Sequence, residues 1–476
     1  MRLDGLLHAL SSDPTVHVDR VVGDPAVELT GVVHDSRAVA GGSLFCCVRG
    51  DRVDGHDFAV AAVDAGASAL LCERELPVAV PQVIVADVRR ALGPVAAEFW
   101  GQPSRELAVI GVTGTNGKTT TTHLLRSIFD AAGRPSAIIG TLTGTRTTPE
   151  APELQAQLAS FRDNGITAVA MEVSSHALAL HRIDGTVFAV GVFTNLSRDH
   201  LDFHPTMDDY FAAKAELFTP ERCALAVVNV EDEWGQRLVD MLTIPWLPYA
   251  LDLVDDVVIE VLSSRCRWEG VELTVPLGGR FNLSNALAAA VAAQAAGVGV
   301  DAIAAGIAAA GPVPGRFEPV DVGQPFHVIV DYAHTPDGLA QVLLAAREVS
   351  GSGRVHVVFG CGGDRDRTKR APMGEIASRI ADRVIVTSDN PRSEDPGAII
   401  EAIMTGIPDP AGRMADRTLI IEPDRRAAIA AAIAGAAPGD VVVVAGKGHE
   451  TTQVIGDVVV PFDDRVVARE LLESAA

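Results

Sequence analysis

The chain has 476 residues, of which 48% are hydrophobic and 21% are charged, and its formal net charge is -23. This length is too great for one compact core, so two or three domains are expected, and the composition excludes a disordered protein. The acidic balance argues against sequence-independent binding to nucleic acid or to an anionic membrane.

The beginning of the chain and its cysteines indicate a compartment. The six cysteines form no C-x-x-C pair, which argues against a zinc site or a redox dithiol and is typical of a reduced cytosolic protein. Asp4 stands where a signal peptide would be uniformly apolar, and no apolar run approaches the length that crosses a bilayer. We therefore expect a cytoplasmic protein without membrane insertion. As a separate expectation, its partners are small molecules and it is a monomer.

Predicted elements divide the chain into three α/β domains. Short apolar runs alternate with helical patterns over the first hundred residues, and a polar joint at 99–104 precedes a new strand at 107–110. A second linker-like stretch covers 311–315. Strand candidates at 327–331, 355–359, 384–387 and 441–445, separated by Ala-rich helices, predict a mainly parallel sheet with helices on both faces. The predicted domains are 1–102, 103–314 and 315–476.

A glycine-rich loop follows the strand at 107–110 and precedes a predicted helix at 121–132. This context is the one that a phosphate-binding loop requires, because backbone N–H groups and the helix dipole then face the phosphates. The strict pattern would place its first glycine at Val112, whereas the nearest glycine is Gly111. Lys118 is predicted to reach the β- and γ-phosphates, and Thr119 to bind Mg²⁺. The predicted phosphate-binding residues are Gly114, Thr115, Asn116, Gly117, Lys118, Thr119 and Thr120.

The segment from Gly114 to Thr120 resembles the G-T-x-G-K-T-T loop of the Mur ligases, and the resemblance extends over the whole chain. It implies a small N-terminal α/β domain for a uridine nucleotide, a central ATP-binding P-loop domain and a C-terminal Rossmann-like domain for an amino acid. The resemblance is strongest to the members that add the third residue of the stem peptide. It implies ATP as co-substrate and Mg²⁺ as cofactor.

Three further motifs resemble the metal-binding and modified residues of that family. Glu172 ends an apolar strand, where a carboxylate beside a phosphate loop is well placed to hold Mg²⁺. His200, within N-L-x-x-D-H-L-D-x-H, resembles the ligand of a second Mg²⁺. Lys214 resembles a lysine that CO₂ converts to N6-carboxylysine, although spacing alone would favour a solvated helical lysine. The catalytic residues implied by the resemblance are Lys118, Glu172, His200 and Lys214.

The same resemblance extends to the nucleotide and to the acceptor substrate. Asn282 resembles an adenine contact, Arg316 a γ-phosphate contact, and Asp331, in D-Y-A-H-T-P, a ribose contact. Arg182 would pair with the D-glutamate carboxylates through its planar fork, the alternative being a surface salt bridge. The residues implied for UDP-N-acetylmuramoyl-L-alanyl-D-glutamate are Ser36, Arg52, Thr147, Thr148, Ser174 and Arg182.

The segment Asp389-Asn390-Pro391-Arg392 matches the D-N-P-R motif of the diaminopimelate-adding members. Diaminopimelate differs from lysine by a distal carboxylate, which the Arg392 guanidinium would bind, with Arg365 as a second clamp and Glu450 for the distal ammonium. The alternative for Arg392 is an ordinary turn residue after a proline. The diaminopimelate-binding residues implied are Arg365, Asp389, Asn390, Arg392, Gly446 and Glu450.

These motifs together predict an ATP-dependent ligase that adds meso-2,6-diaminopimelate to the D-glutamate of the nucleotide-linked peptide through an acyl phosphate. A lysine-adding or folylpolyglutamate-type ligase is the near alternative, and D-N-P-R argues against it. A P-loop switch or motor that merely hydrolyses nucleotide is the alternative from another class. It gives no reason for D-Y-A-H-T-P or D-N-P-R.

Overall fold

The computed structural model describes residues 1–11, 15–50 and 53–475. The first sheet lies within the first hundred residues, and its elements are α1 (Leu3–Leu10), β1 (Val18–Val22), β2 (Gly31–Val33), β3 (Ser43–Cys46), α2 (Ala59–Asp64), β4 (Ala69–Cys72), β5 (Gln82–Val85) and α3 (Val88–Phe99). The strand order is β1-β5-β4-β3-β2, with β1 antiparallel to β5 and the other pairs parallel. This part is the small α/β domain that the alternating pattern predicts.

The second sheet is parallel and has the order β11-β10-β9-β6-β8-β7. Its elements are β6 (Ala108–Thr113), α4 (Lys118–Ala131), β7 (Ser136–Ile139), α5 (Ala151–Asp163), β8 (Ala168–Glu172), α6 (Ser175–Ala179), β9 (Val190–Phe193), α7 (Met207–Ala215), β10 (Ala226–Asn229), α8 (Glu233–Val239) and β11 (Trp246–Tyr249). A small antiparallel sheet and two helices follow, namely β12 (Asp255–Ile259), β13 (Ser264–Trp268), β14 (Val271–Val275), α9 (Arg280–Ala295) and α10 (Val300–Ala308). The inner face of this small sheet joins the core that α4, α9 and α10 share.

The third sheet has the order β15-β16-β20-β17-β18-β19, in which β15 is antiparallel and the other pairs are parallel. Its elements are β15 (Glu318–Pro319), β16 (His327–Asp331), α11 (Pro336–Ser350), β17 (Val355–Phe359), α12 (Arg370–Ile380), β18 (Arg383–Val386), α13 (Pro396–Met404), α14 (Pro410–Ala415), β19 (Leu419–Ile421), α15 (Arg425–Ala434) and β20 (Val441–Ala445). A hairpin of β21 (Thr452–Ile455) and β22 (Val458–Pro461) and the helix α16 (Asp464–Ala475) complete the chain.

The strands predicted for the third sheet are confirmed, with one shifted by a residue to Arg383–Val386. Every residue of β17 and β20 is buried, because helices cover both faces of a parallel sheet. Among the described residues, no helix combines the length and the apolar character needed to cross a membrane. The exact domain boundaries after residues 102 and 314 stay a prediction.

A buried ion pair ties the beginnings of α15 and α16 together. The Arg425 guanidinium donates to both carboxylate oxygens of Asp464 at 2.8 and 2.7 Å, and both side chains are 0% exposed. It also donates to the carbonyls of Ser388 and Ala445, which follow β18 and end β20. The pair therefore connects the carboxyl ends of β18 and β20, which flank β17 in the third sheet.

Replacing Arg425 with methionine is expected to lower the free energy of unfolding by about 3–5 kcal/mol, because it leaves the Asp464 carboxylate buried without its partner. Urea unfolding followed by circular dichroism measures the change. The matched control is Arg426→Met, since the Arg426–Glu470 pair is about half exposed (49% and 50%) and such pairs contribute less than about 1 kcal/mol. Equal losses in the two variants would contradict the prediction.

Candidate active site

The loop between β6 and α4 has the backbone of a phosphate-binding loop. Gly114 and Gly117 have φ values of +151° and +89°, a range that favours glycine. A Cβ at Gly114 would lie 1.9 Å from the Thr194 hydroxyl oxygen, and one at Gly117 2.3 Å from Asn285 Oδ1. The N–H groups of Thr115 and Asn116 donate to the carbonyl and side-chain oxygens of Asn195 at 2.9 Å each. The loop therefore keeps its shape through its glycines and through Asn195.

A cavity of about 840 Å³ opens at the N-terminus of α4, between the second and third sheets. It lies at the carboxyl ends of the strands of both sheets, where open α/β sheets bind ligands. The sequence-predicted residues that line it are Thr115, Asn116, Gly117, Lys118, Thr119, Thr120, Thr147, Thr148, Glu172, Ser174, Arg182, His200, Lys214, Arg316, Asp331 and Arg365. The structure thus brings together most of the residues predicted for ATP and all of those predicted for the metal and for the muramoyl dipeptide.

Glu172 is 1% exposed and lies against the beginning of α4. Its Oε2 accepts hydrogen bonds from the hydroxyls of Thr119 at 3.2 Å and Thr141 at 3.1 Å, and its Oε1 accepts from the Thr141 N–H at 2.9 Å. Carboxylate and hydroxyl oxygens are the ligands that Mg²⁺ prefers. Within the described ranges, no group of three or more His, Cys, Asp and Glu side chains is close enough to hold a metal by itself. The Thr119–Glu172 pair fits one Mg²⁺ whose coordination phosphate oxygens would complete.

Two lysine side chains converge on one carbonyl oxygen of the loop. Nζ of Lys118 and Nζ of Lys214 each donate to Gly114 O at 2.8 Å, and Lys118 also donates to Thr115 O at 2.8 Å. Lys214 lies on α7 and is 1% exposed. Burial lowers the pKa of Lys214 far below its usual value, and the neighbouring Lys118 lowers it further. Lys214 is therefore a buried amine beside the phosphate loop and not a solvated helical lysine.

His200 follows β9 and lies near His176 and Asp199. Its ring centroid is 4.8 Å from that of His176, and its Nε2 is 3.4 Å from Asp199 Oδ2. Burial lowers the pKa of His200, and Asp199 opposes that effect. A neutral imidazole is the form that binds a metal, so this side chain fits the role of a metal ligand.

Residues at the beginning of the third sheet reach across the cavity to the phosphate loop. Arg316 Nη2 donates to the Thr119 hydroxyl at 3.2 Å, and its guanidinium carbon lies 4.5 Å from the centre of the Tyr332 ring. Asn116 Nδ2 donates to Asp337 Oδ2 at 3.3 Å. These contacts join the phosphate loop and the beginning of α4 to Arg316, which precedes β15, and to Asp337, at the beginning of α11.

Asp331 ends β16 and is 7% exposed. Its oxygens accept hydrogen bonds from the N–H groups of Phe317 and Ala333 at 2.7 Å each, and burial raises its pKa. Asn282, the predicted adenine contact, is 1% exposed and donates from Nδ2 to Gly278 O at 2.8 Å. Asn282 does not line the cavity, whereas Asn285, one turn later on α9, does.

The residues predicted for the acceptor substrate do not all lie together. Thr147, Thr148 and Ser174 lie beside Glu172, and the Thr148 hydroxyl donates to the Glu172 carbonyl at 2.9 Å. Ser36 begins a short 3-10 helix after β2 and does not line the cavity. Arg52, predicted for the uridine nucleotide, lies outside the described residues.

Arg182 belongs to a group of three arginines around one carboxylate. Its Nε is 2.9 Å from Glu150 Oε1, while Arg146 and Arg89 reach the same carboxylate at 3.1 and 3.6 Å. Three guanidinium groups facing one carboxylate leave two positive charges in excess. Arg182 is half-buried at the cavity, so the group suits an anionic substrate better than a simple surface salt bridge.

The residues predicted for diaminopimelate other than Arg365 cluster where β18 and β20 end, and this cluster is here called the second pocket. Asn390 Nδ2 donates to Glu450 Oε2 at 2.7 Å, and Arg392 Nη1 donates to Gly363 O at 2.7 Å. A Cβ at Gly446 would lie 2.5 Å from Asp389 Oδ2, so this position requires glycine. Arg392 has a φ of +52°, in the left-handed region that favours glycine, so its backbone is held in a strained conformation. Arg365 lines the cavity. It also approaches Arg392 at Gly362, where a Cβ would lie 3.8 Å from Arg365 Cγ and 2.9 Å from Arg392 Nη1. Arg365 therefore lies between the second pocket and the cavity.

Several residues of the site carry no sequence-based prediction. They are Arg89, Arg146, Glu150, His176, Asn285, Asp337 and Lys447. Arg146 precedes the predicted pair Thr147-Thr148, Asp337 follows D-Y-A-H-T-P, and Lys447 lies between Gly446 and Glu450. For these three residues, adjacency to a recognised motif is the sequence signal that could have predicted a place in the site. Glu150 likewise follows Thr147-Thr148-Pro149, whereas Arg89 has no such signal, because its link to this group exists only in the fold.

Comparison with known proteins identifies the family. Three family models match the chain, described as "Mur ligase family, catalytic domain" over 28–100, "Mur ligase middle domain" over 112–293 and "Mur ligase, glutamate ligase domain" over 315–448. A relative from Streptomyces coelicolor, named UDP-N-acetylmuramoyl-L-alanyl-D-glutamate--2,6-diaminopimelate ligase, is 47% identical over 476 residues, covering 94% of each chain. The chain belongs to the Mur ligase family.

As a Mur ligase, the chain is an ATP-dependent enzyme that forms amide bonds, which confirms the predicted family and enzyme class. A relative of the same name from Geobacillus thermodenitrificans is 46% identical over 473 residues, covering 94% of this chain and 95% of the relative. A solved structure of a ligase with that name is 33% identical and covers 100% of this chain and 99% of its own, with a TM-score of 0.70. This similarity confirms the predicted α/β Mur ligase fold.

Proposed function

We propose that this Mur ligase joins meso-2,6-diaminopimelate to the D-glutamate of UDP-N-acetylmuramoyl-L-alanyl-D-glutamate, in the synthesis of peptidoglycan precursors in the cytoplasm. The observation that carries the proposal is the second pocket, where the Arg392 guanidinium follows β18 and the Glu450 carboxylate follows β20, the two strands that flank β17 in one sheet. Diaminopimelate has a distal carboxylate and a distal ammonium, and these two side chains supply one partner for each. Relatives that are 47% and 46% identical carry the name of this activity.

The first step would form an acyl phosphate. An oxygen of the D-glutamate side-chain carboxylate attacks the γ-phosphorus of ATP, the bond from that phosphorus to the bridging oxygen breaks, and ADP leaves. Lys118 and Arg316 converge on the beginning of α4 and would hold the phosphate oxygens during the transfer. Arg182, with Arg146, would hold a carboxylate of the dipeptide. The chain's contribution is orientation and charge stabilisation.

The second step would form the amide bond. The uncharged amine of diaminopimelate attacks the acyl carbon, the bond from that carbon to the phosphate oxygen breaks, and the nitrogen loses a proton as phosphate leaves. No serine or cysteine nucleophile is required, because the two substrates supply nucleophile and electrophile. Arg365, at the junction of pocket and cavity, would orient the amino acid towards the cavity.

Mg²⁺ fits the oxygen ligands described above. Thr119 and Glu172 would hold one ion, and His200 would hold a second, with Lys214 in its carbamylated form as an anion nearby. When bound, Mg²⁺ neutralises charge on the phosphate groups. The proposed partners are three small molecules, namely ATP, diaminopimelate and the nucleotide-linked dipeptide, and the proposed enzyme is a monomer.

Phosphate release tests the proposed function. The enzyme is incubated with ATP, Mg²⁺ and UDP-N-acetylmuramoyl-L-alanyl-D-glutamate, together with meso-diaminopimelate, L-lysine or no amino acid. Release that requires diaminopimelate is the expected result. Release with lysine would keep the family and overturn the substrate, and equal release in all three mixtures would indicate a nucleotide hydrolase without ligase activity.

Replacing Arg392 with methionine is expected to raise the KM for diaminopimelate by about 10- to 100-fold, because a hydrogen bond to a charged group contributes about 1.5–3 kcal/mol. The KM for ATP should stay unchanged, since Arg392 does not line the ATP cavity. The matched control is Arg367→Met, because the Arg367 side chain is 71% exposed. An unchanged KM for diaminopimelate in the Arg392 variant would contradict the role of that guanidinium.

A further inference from the structure

A buried lysine lies directly behind the second pocket. Lys447 is 0% exposed, and its ammonium has three acceptors: Asn390 Oδ1 at 3.2 Å, Glu450 Oε2 at 3.1 Å and Thr452 O at 2.6 Å. Three acceptors use all three protons of an ammonium group. A buried charge is costly unless it is paired and fully hydrogen-bonded, so this arrangement fixes the ammonium in one place.

The ammonium determines how the Asn390 amide is oriented. Asn390 Oδ1 accepts from Lys447 Nζ and from the N–H of Val454 at 3.0 Å, so its Nδ2 must point the other way, where it donates to Glu450 Oε2 at 2.7 Å. With the reverse orientation, two donors would face the Nδ2 group. Asn390 is 4% exposed, so water cannot compensate for a reversed amide.

The same contacts leave one side of the Glu450 carboxylate available to a ligand. Oε2 receives both Lys447 Nζ and Asn390 Nδ2, whereas Oε1 receives no hydrogen bond from the described residues, and the Glu450 side chain is 31% exposed. Lys447 and Glu450 together carry no net charge. The ion pair of Arg425 with Asp464, whose guanidinium also donates to the Ala445 carbonyl, is likewise neutral and buried. An incoming ammonium therefore meets a carboxylate oxygen whose position is already fixed.

We propose that Lys447 is a positioning residue that gives the pocket its selectivity for a second amino group on the substrate. It holds Asn390 and Glu450 so that Glu450 Oε1 faces the distal ammonium of diaminopimelate. The inference rests on the proposed function and deepens it. Fixing a hydrogen-bond partner in advance increases discrimination, because a ligand that lacks the matching group leaves a buried polar atom unpaired.

A second hydrogen bond to the same hairpin provides a matched control. Gln453 is 7% exposed, and its Nε2 donates to Asp389 O at 2.6 Å, which attaches β21 to the segment at 389–392. Among the described residues, no hydrogen bond joins the Gln453 side chain to Glu450. A variant that loses this bond loosens the hairpin without removing the ammonium behind Glu450.

The test compares two amino acids in wild type, Lys447→Met and Gln453→Ala. One is meso-diaminopimelate and the other is 2-aminopimelate, which has both carboxylates and lacks the distal amino group. We expect Lys447→Met to raise the KM for diaminopimelate by about 10- to 100-fold, as loss of a supporting hydrogen-bond partner does at other sites. The KM for 2-aminopimelate, or its inhibition constant against diaminopimelate, should stay within about twofold because that compound has no group for Glu450 to bind.

Each outcome decides the proposal. The proposal is supported if Lys447→Met loses the preference for diaminopimelate over 2-aminopimelate, measured as the ratio of the two KM values, while kcat stays nearly unchanged. Gln453→Ala should keep the wild-type value of that ratio. An equal rise for both compounds would show a merely structural role, and no rise for either would remove the role of Lys447. If the methionine variant does not fold, Lys447→Gln takes its place, since it keeps a donor and removes the charge. Turnover of diaminopimelate by wild type tests the proposed function separately.

A double variant gives an independent readout. Glu450→Gln should by itself reduce the preference for diaminopimelate over 2-aminopimelate, and adding Lys447→Met should reduce it little further, because both changes act through one carboxylate. Additive losses would overturn the proposal that Lys447 acts through Glu450.

Discussion

Replacing Lys118 with methionine is expected to lower kcat by about a thousandfold, the effect of losing one strong charge-stabilising donor in an active site. Lys118 begins α4, lines the cavity and has its ammonium 2.8 Å from two loop carbonyls, Gly114 O and Thr115 O. These contacts hold the charge where the γ-phosphoryl group would transfer. Phosphate release at saturating substrates measures the loss.

The control for this variant lies on the same helix. Arg126 on α4 is 53% exposed and lies 3.7 Å from Asp130, so Arg126→Met should leave kcat unchanged. Thermal unfolding of both variants checks that the fold is kept. A Lys118 variant with more than about a tenth of wild-type kcat would contradict the role of this ammonium in charge stabilisation.

Replacing Lys214 is expected to lower kcat by about a hundredfold or more, because the proposed carbamate would be a fixed charge beside the phosphate loop. The uncharged amine is the form that reacts with CO₂, and burial together with Lys118 lowers the pKa of Lys214, which increases the uncharged fraction near neutral pH. Carbamylation and activity should therefore fall as the pH falls and the amine becomes protonated.

Two variants separate the charge of a carbamate from that of an amine. Lys214→Arg keeps a cation and should be nearly inactive, whereas Lys214→Glu supplies a carboxylate and should recover part of the activity. Removing dissolved CO₂ should lower the wild-type rate, and added bicarbonate should restore it. An arginine variant as active as wild type would contradict the proposed carbamate.

The sequence predicted the third sheet well and the middle of the chain less well. The apolar runs that form β16, β17 and β20 are buried on both faces, so they stand out against their neighbours. The small sheet β12–β14 had no prediction, although Ser264–Trp268 alternates buried and exposed residues. That alternation depends on Arg265 and Arg267 facing solvent, which a count of apolar residues alone does not show.

Local motifs predicted the loop and much of the cavity, but not the partners that the fold brings to them. α4 begins at Lys118 and not at the predicted 121, because the left-handed backbone of Gly117 allows the turn to close earlier. The contact between Lys118 and Lys214 joins residues far apart in the chain through one carbonyl oxygen. Neither periodicity nor motif spacing predicts this contact, because it depends on how α7 packs on the phosphate loop.

The linker before the third sheet has a further consequence for inhibitor design. Gly315 has a φ of +65°, and a Cβ there would lie 2.0 Å from the backbone nitrogen of His449 and 2.2 Å from the carbonyl carbon of Gly448. The linker is thus packed against the segment that carries Lys447 and Glu450. If the third sheet rotates relative to the second, we expect Gly315 to move with the third sheet, so that the pivot lies before Gly315 in the chain. A compound confined to the second pocket would bind the same surface at every angle of that rotation. One that bridges Asn116 and Asp337 would bind only when the second and third sheets are close.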